Sequence, residues 1–266
     1  MRGFYIYKNP FRYYNEITQG GVFMWENSEL KQRAKHVLSR FGYWTPFGAT
    51  ILCGLLMTSP GNILSVISEN PELENALYGN EEIATFVTFA VPAIVLLSYL
   101  FNVFVGYPIL VGMNRFFMEN RVSGSKVERV FWVFKSGNYL NVVKTMFLMN
   151  LKIFLWSLLL FIPGIIKSYQ YYMIPYILAE NPGIDSRRAF ELSKEMTDEQ
   201  KFDIFCLELS FFGWILLGTL ACGIGVLFVE PYYRATLAEL YQVMRDKVHN
   251  SGFSDFSELP GFFPEQ

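Results

Sequence analysis

Five charged side chains stand inside stretches of sequence that are otherwise apolar: Lys152, Lys167, Glu208, Glu230 and Arg234. A charge that enters an apolar environment loses its hydration, so such residues normally pair with one another or mark a polar path. From helical rise alone we predict that Lys152 and Glu208 pair at similar depth, with Arg234 as a competitor for Glu208. Lys167 and Glu230 form a second predicted pair.

This candidate intramembrane polar cluster has two interpretations. In the first, it is a polar site between helices, where interrupted helices expose backbone carbonyls as they do in transporters. In the second, the charges form salt bridges that only fix helix packing, and the lysine side chains extend to the membrane surface. We favour the second interpretation, and neither one specifies a substrate.

Motifs of the main enzyme and metal-site classes are missing from the sequence. It contains no HExxH, no GxSxG and no Walker lysine loop. Cys53, Cys206 and Cys222 form no CxxC pair and no zinc spacing, so we interpret them as small buried apolar residues. His36 and His249 are predicted to be solvated. We therefore expect no enzyme activity, no cofactor and no metal, and without a basic binding module we expect no nucleic acid partner.

The elements that must hold the charged cluster are long uncharged runs. Phe41 to Ser68, Ile83 to Asn114 and Leu209 to Val229 contain no charged residue. Each run exceeds the length of about 20 apolar residues that crosses a bilayer. A soluble helix would instead show charge every turn or two on its water-facing side. The composition, with 17% charged residues, lies below the roughly 25% of soluble chains. The sequence therefore predicts an all-α, polytopic membrane helical bundle.

Six membrane segments are predicted from these runs and from the apolar sequence between them. They are Tyr43–Ile67, Ile83–Tyr107, Leu140–Ile162, Ile165–Leu178, Phe202–Leu220 and Val226–Tyr241. The fourth segment is short and is interrupted by Lys167, Gln170 and Pro175. A re-entrant half-helix is therefore the alternative for this segment.

The basic residues predict the orientation. They cluster before the first segment and after the second, fourth and sixth segments, whereas the loop after the first segment carries glutamates and no lysine or arginine. Because cytoplasmic loops are enriched in lysine and arginine, both termini are predicted to be cytoplasmic. Six crossings place every basic block on one side. A re-entrant fourth segment would put the block at Arg187 outside, which is why we prefer six.

Three of the basic blocks have the apolar spacing of amphipathic helices. Their apolar positions are Leu30, Ala34, Val37, Leu38 and Phe41, then Val127, Val130, Phe131 and Phe134, then Ala189, Leu192 and Met196. Ser28, Ser125 and Asp185 are the predicted N-caps. Such helices can lie at the membrane surface with lysine and arginine facing anionic lipid headgroups.

The order of interfacial helix, membrane hairpin and return suggests a threefold repeat. Pro175-Tyr176 is followed by Ala179-Glu180, and Pro231-Tyr232 is followed by Ala238-Glu239. The alternative is that proline and aromatic residues are simply common in membrane helices.

Three regions follow from this division of the chain. Residues 1–27 are interpreted as an aromatic and basic cytoplasmic leader, either lying on a headgroup surface or disordered, and they lack the apolar core of a signal peptide. Residues 28–248 are the predicted membrane helical domain. Residues 249–266 are rich in Ser, Gly and Pro and are predicted to be a disordered C-terminal tail, with a docking peptide as the alternative.

Several stretches resemble a known bacterial family. They are GYPILVGMNRFF (Gly106 to Phe117), FLWSLLLF (Phe154 to Phe161), IPGIIKSYQYYMIPYILAENP (Ile162 to Pro182), LSFFGW (Leu209 to Trp214) and the step Pro231-Tyr232-Tyr233. Over about Ser28 to Lys247 the chain resembles the multi-pass membrane proteins of the domain-of-unknown-function family numbered 975. The resemblance implies a helical bundle in a bacterial cytoplasmic membrane, and it brings no activity, ligand or catalytic residue.

The interpretation that combines these observations is a non-enzymatic membrane scaffold or an accessory subunit of a membrane system. Its expected partners are the lipid bilayer, anionic lipid headgroups at the basic helices, and another membrane protein. The alternative is a transporter or channel for a small solute or lipid, and a membrane-embedded lipid enzyme is the third option.

Overall fold

The computed structural model describes residues 25–57, 79, 81–220 and 223–262, and its regular elements in these ranges are all helices. In chain order they are α1 (Asn27–Phe41), α2 (Trp44–Met57), α3 (Glu81–Phe101), a π-helical segment (Asn102–Gly106), α4 (Tyr107–Asn120), a 3-10 segment (Val127–Phe131), α5 (Trp132–Lys135), α6 (Tyr139–Leu159), α7 (Phe161–Gln170), α8 (Ile174–Glu180), α9 (Ser186–Thr197), α10 (Lys201–Leu220) and α11 (Ile224–Asn250). The predicted all-α fold is confirmed. Residues 1–24 of the predicted leader lie outside the described ranges.

In these ranges, three helices are long and apolar enough to cross a membrane, which is fewer than the six predicted segments. They are Ile83–Asn120, Tyr139–Leu159 and Lys201–Leu220. Helix α2 is apolar but has 14 residues, and the rest of the first predicted segment lies outside the described ranges. The sixth predicted segment lies within α11, whose 27 residues continue through Pro231 into a charged half.

The predicted fourth segment is split into two short helices. Helix α7 has 10 residues and ends at Gln170, and α8 has 7 residues and begins at Ile174. Pro175 lies in the first turn of α8, where its missing N–H is tolerated. A continuous helix through Pro175 would lose a hydrogen bond and clash with the preceding turn. Neither half is long enough to cross a bilayer by itself.

The second predicted segment, by contrast, continues past Pro108 as one long helix. Pro108 has no N–H to donate to the carbonyl of Phe104, one turn earlier. A π-helical segment at Asn102–Gly106 precedes the proline. The hydroxyl of Tyr139 donates a hydrogen bond of 2.5 Å to the Phe104 carbonyl. The free acceptor is therefore satisfied from α6, and the helix does not break.

The segments α6–α8 and α10–α11 each form a hairpin whose two ends are held together. The side-chain amide of Asn141, at the start of α6, donates to the carbonyl of Pro182, just after α8, at 2.8 Å. The ammonium of Lys247, near the end of α11, donates to the carbonyl of Asp198, just before α10, at 2.7 Å. Each hairpin therefore returns the chain to the level at which it started.

Burial divides the helices into two zones. We call the first the apolar zone: α3, the second halves of α6 and α10, α7, and the first turns of α11. Its large apolar side chains are exposed, with Phe154 62%, Leu159 73% and Phe212 58% accessible. We call the second the packed zone: α1, α4, the first half of α6, α8, α9 and the second half of α11. There, Phe116, Ile177 and Leu240 are fully buried.

Two of the three predicted amphipathic helices form as single helices. The predicted apolar positions of α1 and α9 are buried, apart from the half-exposed Phe41. Asp185 caps α9 as predicted, since its carboxylate accepts the backbone N–H groups of Arg187 and Arg188. Ser28 lies inside α1 and is not its cap. Both helices pack against α11, so the chain itself, and not lipid, covers these apolar stripes.

The C-terminal segment differs from the prediction of a disordered tail. Helix α11 extends to Asn250, and the residues after it fold back onto the packed zone. Leu259 is fully buried, and the Glu258 carboxylate accepts two hydrogen bonds from Arg188, at 2.6 and 3.0 Å. The prediction is therefore wrong for residues 249–262, because composition alone does not reveal a partner on α9.

Candidate functional site

Glu208 lies between helices in a cage of tyrosine hydroxyls. Tyr169 and Tyr172 each donate a hydrogen bond of 2.7 Å to its carboxylate, and Tyr233 donates a third at 3.1 Å. These donors come from α7, the α7–α8 break and α11, while Glu208 lies on α10. These hydrogen bonds satisfy the carboxylate and tie α7, the α7–α8 break and α11 to α10.

The other four predicted residues do not join Glu208 as predicted. Arg234 pairs with Glu230 on its own helix, with 2.6 Å between its Nε and the carboxylate. Lys167 donates to the Gln170 amide at 2.7 Å, and Lys152 lies 3.6 Å from the centre of the Phe190 ring. The predicted Lys152–Glu208 and Lys167–Glu230 pairs are therefore wrong. Helical rise gives the depth of a residue but not the direction in which it faces.

Glu208 and Arg234 nevertheless belong to one polar environment. Tyr176 and Tyr233 each lie within electrostatic range of both charges. Tyr172 and Tyr233 also approach each other, with 3.4 Å between their hydroxyl oxygens. The cluster is thus a tyrosine-rich contact between α8, α10 and α11. In it, tyrosine hydroxyls are the partners of Glu208, where a lysine was predicted.

A second polar cluster lies in the packed zone, where sequence reasoning proposed no site. The Arg121 guanidinium binds the Glu239 carboxylate in a bidentate way, at 2.7 and 3.2 Å, and also donates to Gln242 at 3.0 Å. Both charged side chains are almost completely buried. A bidentate arginine–carboxylate pair combines geometric specificity with two charge-assisted hydrogen bonds. It joins the end of α4 to α11.

Glu180 at the end of α8 is the centre of a related set of contacts. Its carboxylate accepts a hydrogen bond of 2.7 Å from the Tyr241 hydroxyl and one of 2.6 Å from the backbone N–H of Gly261. Arg245 lies 3.6 Å away. Glu180 therefore holds both α11 and the C-terminal segment. The recurring Ala-Glu steps at Glu180 and Glu239 were the sequence signal for these two carboxylates.

Arg115 completes the cluster on α4. It forms a 2.7 Å ion pair with Glu119 and donates to the carbonyl of Ala179 at 2.9 Å. Its guanidinium also lies 3.6 Å from the centre of the Trp132 ring, a cation–π contact. Arg115 thus links α4 to the end of α8 and to α5.

Charged groups at the surface of the packed zone have altered proton affinities. Hydrogen bonds from Arg188 hold the pKa of Glu258 below its ordinary value. Burial lowers the pKa of Lys247, which donates to the carbonyls at the end of α9, and it lowers the pKa of His249. His249 packs against Phe256 with 4.6 Å between ring centres, so it is less solvated than predicted.

The described residues contain no group of three or more His, Cys, Asp or Glu side chains that could hold a metal ion. Cys53 is buried as predicted and Cys206 is partly exposed, whereas Cys222 lies outside the described residues. The carboxylates of both clusters accept hydrogen bonds from arginine, tyrosine or backbone donors. These hydrogen bonds and ion pairs join helices.

The chain matches one family model, described as "Protein of unknown function (DUF975)", over residues 64–247. The match begins later than the predicted Ser28, so α1 and α2 precede it. No curated protein and no solved structure matches the chain. The matched range contains Glu208 with its three tyrosines and the pairs of Arg121 and Arg115, and it covers more than half of the sequence. The chain therefore belongs to the DUF975 family of proteins of unknown function.

Proposed function

We propose that this protein is a non-enzymatic scaffold or accessory subunit embedded in a bacterial cytoplasmic membrane. The observation that carries the proposal is the contrast between the two zones. Apolar side chains face outward along α3, α6 and α10, where lipid would cover them. In the packed zone, Arg121, Arg115 and Glu180 form ion pairs and hydrogen bonds that join helices, as a rigid support requires.

The proposed topology has six crossings and both termini in the cytoplasm. Its support is that the hairpins α6–α8 and α10–α11 each return to the end at which they start. The Arg121–Glu239 pair brings the end of α4 to this same end. The basic blocks before α2, after α4, after α8 and near the end of α11 are then on one side, as the distribution of lysine and arginine in membrane proteins favours.

The experiment for membrane integration is alkaline extraction of membranes that contain the protein. We expect the protein to stay in the pellet and to require detergent for solubilisation, because its exposed apolar helices have no other cover. A chain that is monodisperse in plain buffer, without detergent or lipid, would contradict the proposal. Reporters fused after residue 75 and at the C-terminus are expected on opposite sides of the membrane.

The scaffold role is tested by crosslinking in native membranes, with a stable membrane protein partner as the expected product. Recovery of monomer alone would contradict this role. Arg121→Met is expected to weaken the packed zone and to reduce recovery of the crosslinked partner. The matched control, Asp198→Asn at an exposed ion pair, is expected to leave this recovery unchanged.

One observation favours the alternative of a transporter or channel. Lys152 lines a cavity of about 620 Å³ between α6 and α9. The alternative also requires water access at Glu208, which does not line this cavity. We expect Glu208→Cys to resist aqueous thiol reagents from both sides of the membrane. Rapid labelling at both Lys152→Cys and Glu208→Cys would favour transport over scaffolding.

A further inference from the structure

The cavity between α6 and α9 is bordered by four cationic side chains. Lys144 and Lys152 come from α6, and Arg187 and Lys194 come from α9. The volume of about 620 Å³ lies in the range of ligand pockets, which is about 300–1,000 Å³. Within the described part of the chain, no hydrogen bond or salt bridge engages the charged ends of these four side chains.

The two carboxylates at the cavity are already engaged. Asp185 caps α9 by accepting the backbone N–H groups of Arg187 and Arg188. Glu191 lies 3.5 Å from the guanidinium of Arg188, on the side that binds the C-terminal segment. With four cations against two carboxylates, the cavity keeps an excess of positive charge.

Local contacts hold the walls of the cavity in place. The hydroxyls of Thr145 on α6 and Ser186 at the start of α9 form a buried hydrogen bond of 2.7 Å. Asn141 donates to the carbonyls of Pro182 and Ile184, both at 2.8 Å. The start of α9 is thereby fixed against α6, so the four cations project from two helices that are held together and not from a loop.

The face of α6 that borders the cavity changes character along the helix. Lys144, Leu148 and Lys152 recur at the spacing of one helical face, and this face continues through Leu155 and Leu159. Leu155 and Leu159 are exposed in the apolar zone. A cationic stripe thus runs directly into an apolar stripe on the same side of one helix.

We propose that this cavity binds the phosphate headgroup of an anionic lipid, with the acyl chains lying along the Leu155 and Leu159 stripe. A free phosphate would use the cations but not the apolar stripe, and a neutral lipid would use the stripe but not the excess charge. Phe190 and Tyr171 form the apolar floor below the headgroup. The inference rests on the proposed membrane location, which places the cavity where the apolar zone begins.

The experiment measures binding of short-chain lipids to the full chain purified in uncharged detergent. The probes are dioctanoyl phosphatidylglycerol, dioctanoyl phosphatidylcholine, sn-glycerol 3-phosphate and inorganic phosphate. We expect the phosphatidylglycerol to bind best. Neutralising two cations with Lys144→Gln and Lys152→Gln is expected to weaken its binding about 30-fold, since each lysine near an anionic lipid contributes a factor of about five to the affinity.

A second basic cavity supplies the matched control. It has a volume of about 510 Å³ and is lined by Lys126 and Lys135 together with Glu119 and Glu128. Lys126→Gln with Lys135→Gln removes the same charge elsewhere and is expected to leave lipid binding unchanged. Leu155→Gln with Leu159→Gln is expected to weaken phosphatidylglycerol binding while leaving glycerol phosphate binding unchanged.

The outcomes distinguish a lipid headgroup from a soluble phosphate, and they distinguish failure of the lipid site from failure of the proposed membrane location. Equal binding of inorganic phosphate and phosphatidylglycerol would overturn the lipid assignment in favour of a soluble anion. Unchanged lipid binding after the Lys144 and Lys152 substitutions, with the variant monodisperse, would overturn the site itself. The assay takes place in detergent, so either failure leaves the membrane proposal standing, and alkaline extraction tests that proposal separately.

Discussion

Helix α6 belongs to both zones, and its two halves differ in what covers them. In the first half, Val142 and Met146 are fully buried against neighbouring helices, whereas in the second half Phe154 and Leu158 are exposed. Both halves are apolar in sequence. The two halves therefore cannot be told apart by their hydropathy. In the packed zone other helices cover the apolar side chains, whereas in the apolar zone the cover must come from outside the protein.

The polar groups differ between the zones in the same way. In the packed zone, Arg121 and Glu239 are both nearly inaccessible and form a bidentate pair. Next to the apolar zone, Glu208 is held by tyrosine hydroxyls. The comparison shows that the packed zone depends on specific hydrogen bonds and ion pairs between helices, whereas the apolar zone depends mainly on having apolar surroundings.

The largest predicted effect comes from breaking the buried ion pair of the packed zone. Arg121→Met leaves the Glu239 carboxylate buried without its partner, and we expect a loss of about 3–5 kcal/mol in the free energy of unfolding. The measurement is denaturant unfolding in detergent micelles, followed by tryptophan fluorescence.

The matched control is Asp198→Asn at the exposed Lys201–Asp198 pair, for which we expect a loss of less than about 1 kcal/mol. The double variant Arg121→Met with Glu239→Leu is expected to regain part of the stability, because it removes both charges. Equal losses for Arg121→Met and Asp198→Asn would contradict the assignment of the Arg121–Glu239 pair as a specific contact of the packed zone.

The next effect compares two truncations of apolar side chains. Ile177 is 0% exposed, so Ile177→Ala leaves a cavity and is expected to cost about 2–5 kcal/mol of unfolding free energy. Leu217 is 61% exposed in the apolar zone. Lipid and detergent are as apolar as leucine, so Leu217→Ala is expected to have little effect on the same measurement. A larger loss for Leu217→Ala would mean that another chain covers this surface.

The smallest effect concerns the C-terminal segment at low pH. Arg188 lowers the pKa of Glu258 in the folded state. The ionised Glu258 carboxylate therefore stabilises the docked C-terminal segment above the ordinary pKa of 4.5, and this stabilisation is lost as the pH falls through the lowered folded-state pKa. Burial lowers the pKa of His249 from 6.5, so docking also weakens as the pH falls below that value. Both groups therefore favour release of the segment in acid.

The anisotropy of a fluorophore on Pro260→Cys, in a background without the native cysteines, would follow this release. We expect anisotropy to fall on acidification, and Glu258→Gln to remove the step at lower pH while the step of His249 remains. An anisotropy that is constant between pH 7 and pH 3 would contradict the assigned contacts.

The sequence predicted the elements better than the contacts. The stripes of α1 and α9 and the cap at Asp185 are local patterns of spacing, and they form as predicted. The break near Pro175 follows from proline chemistry, but whether two short helices together cross a membrane depends on packing. The continuation through Pro108 depends on Tyr139, which is distant in sequence.

The predicted site was less accurate for a physical reason. Lys152 and Glu208 lie at similar predicted depth, but their side chains face different helices. Tyrosines count as apolar in a hydropathy pattern, although their hydroxyls supply the donors around Glu208. The docking of Glu258 on Arg188 joins distant parts of the chain, and no local pattern indicates it.

The measurement that tests the central claim most directly is aqueous maleimide labelling in open membrane fragments, in a background where the native cysteines are replaced. Phe212→Cys probes the apolar zone, where the native side chain is 58% exposed, and Ser251→Cys probes the exposed surface of the packed zone. If lipid covers the apolar zone, Ser251→Cys reacts at once, whereas Phe212→Cys reacts only after the protein is denatured. Equally rapid labelling of both positions in intact membrane fragments would contradict the account.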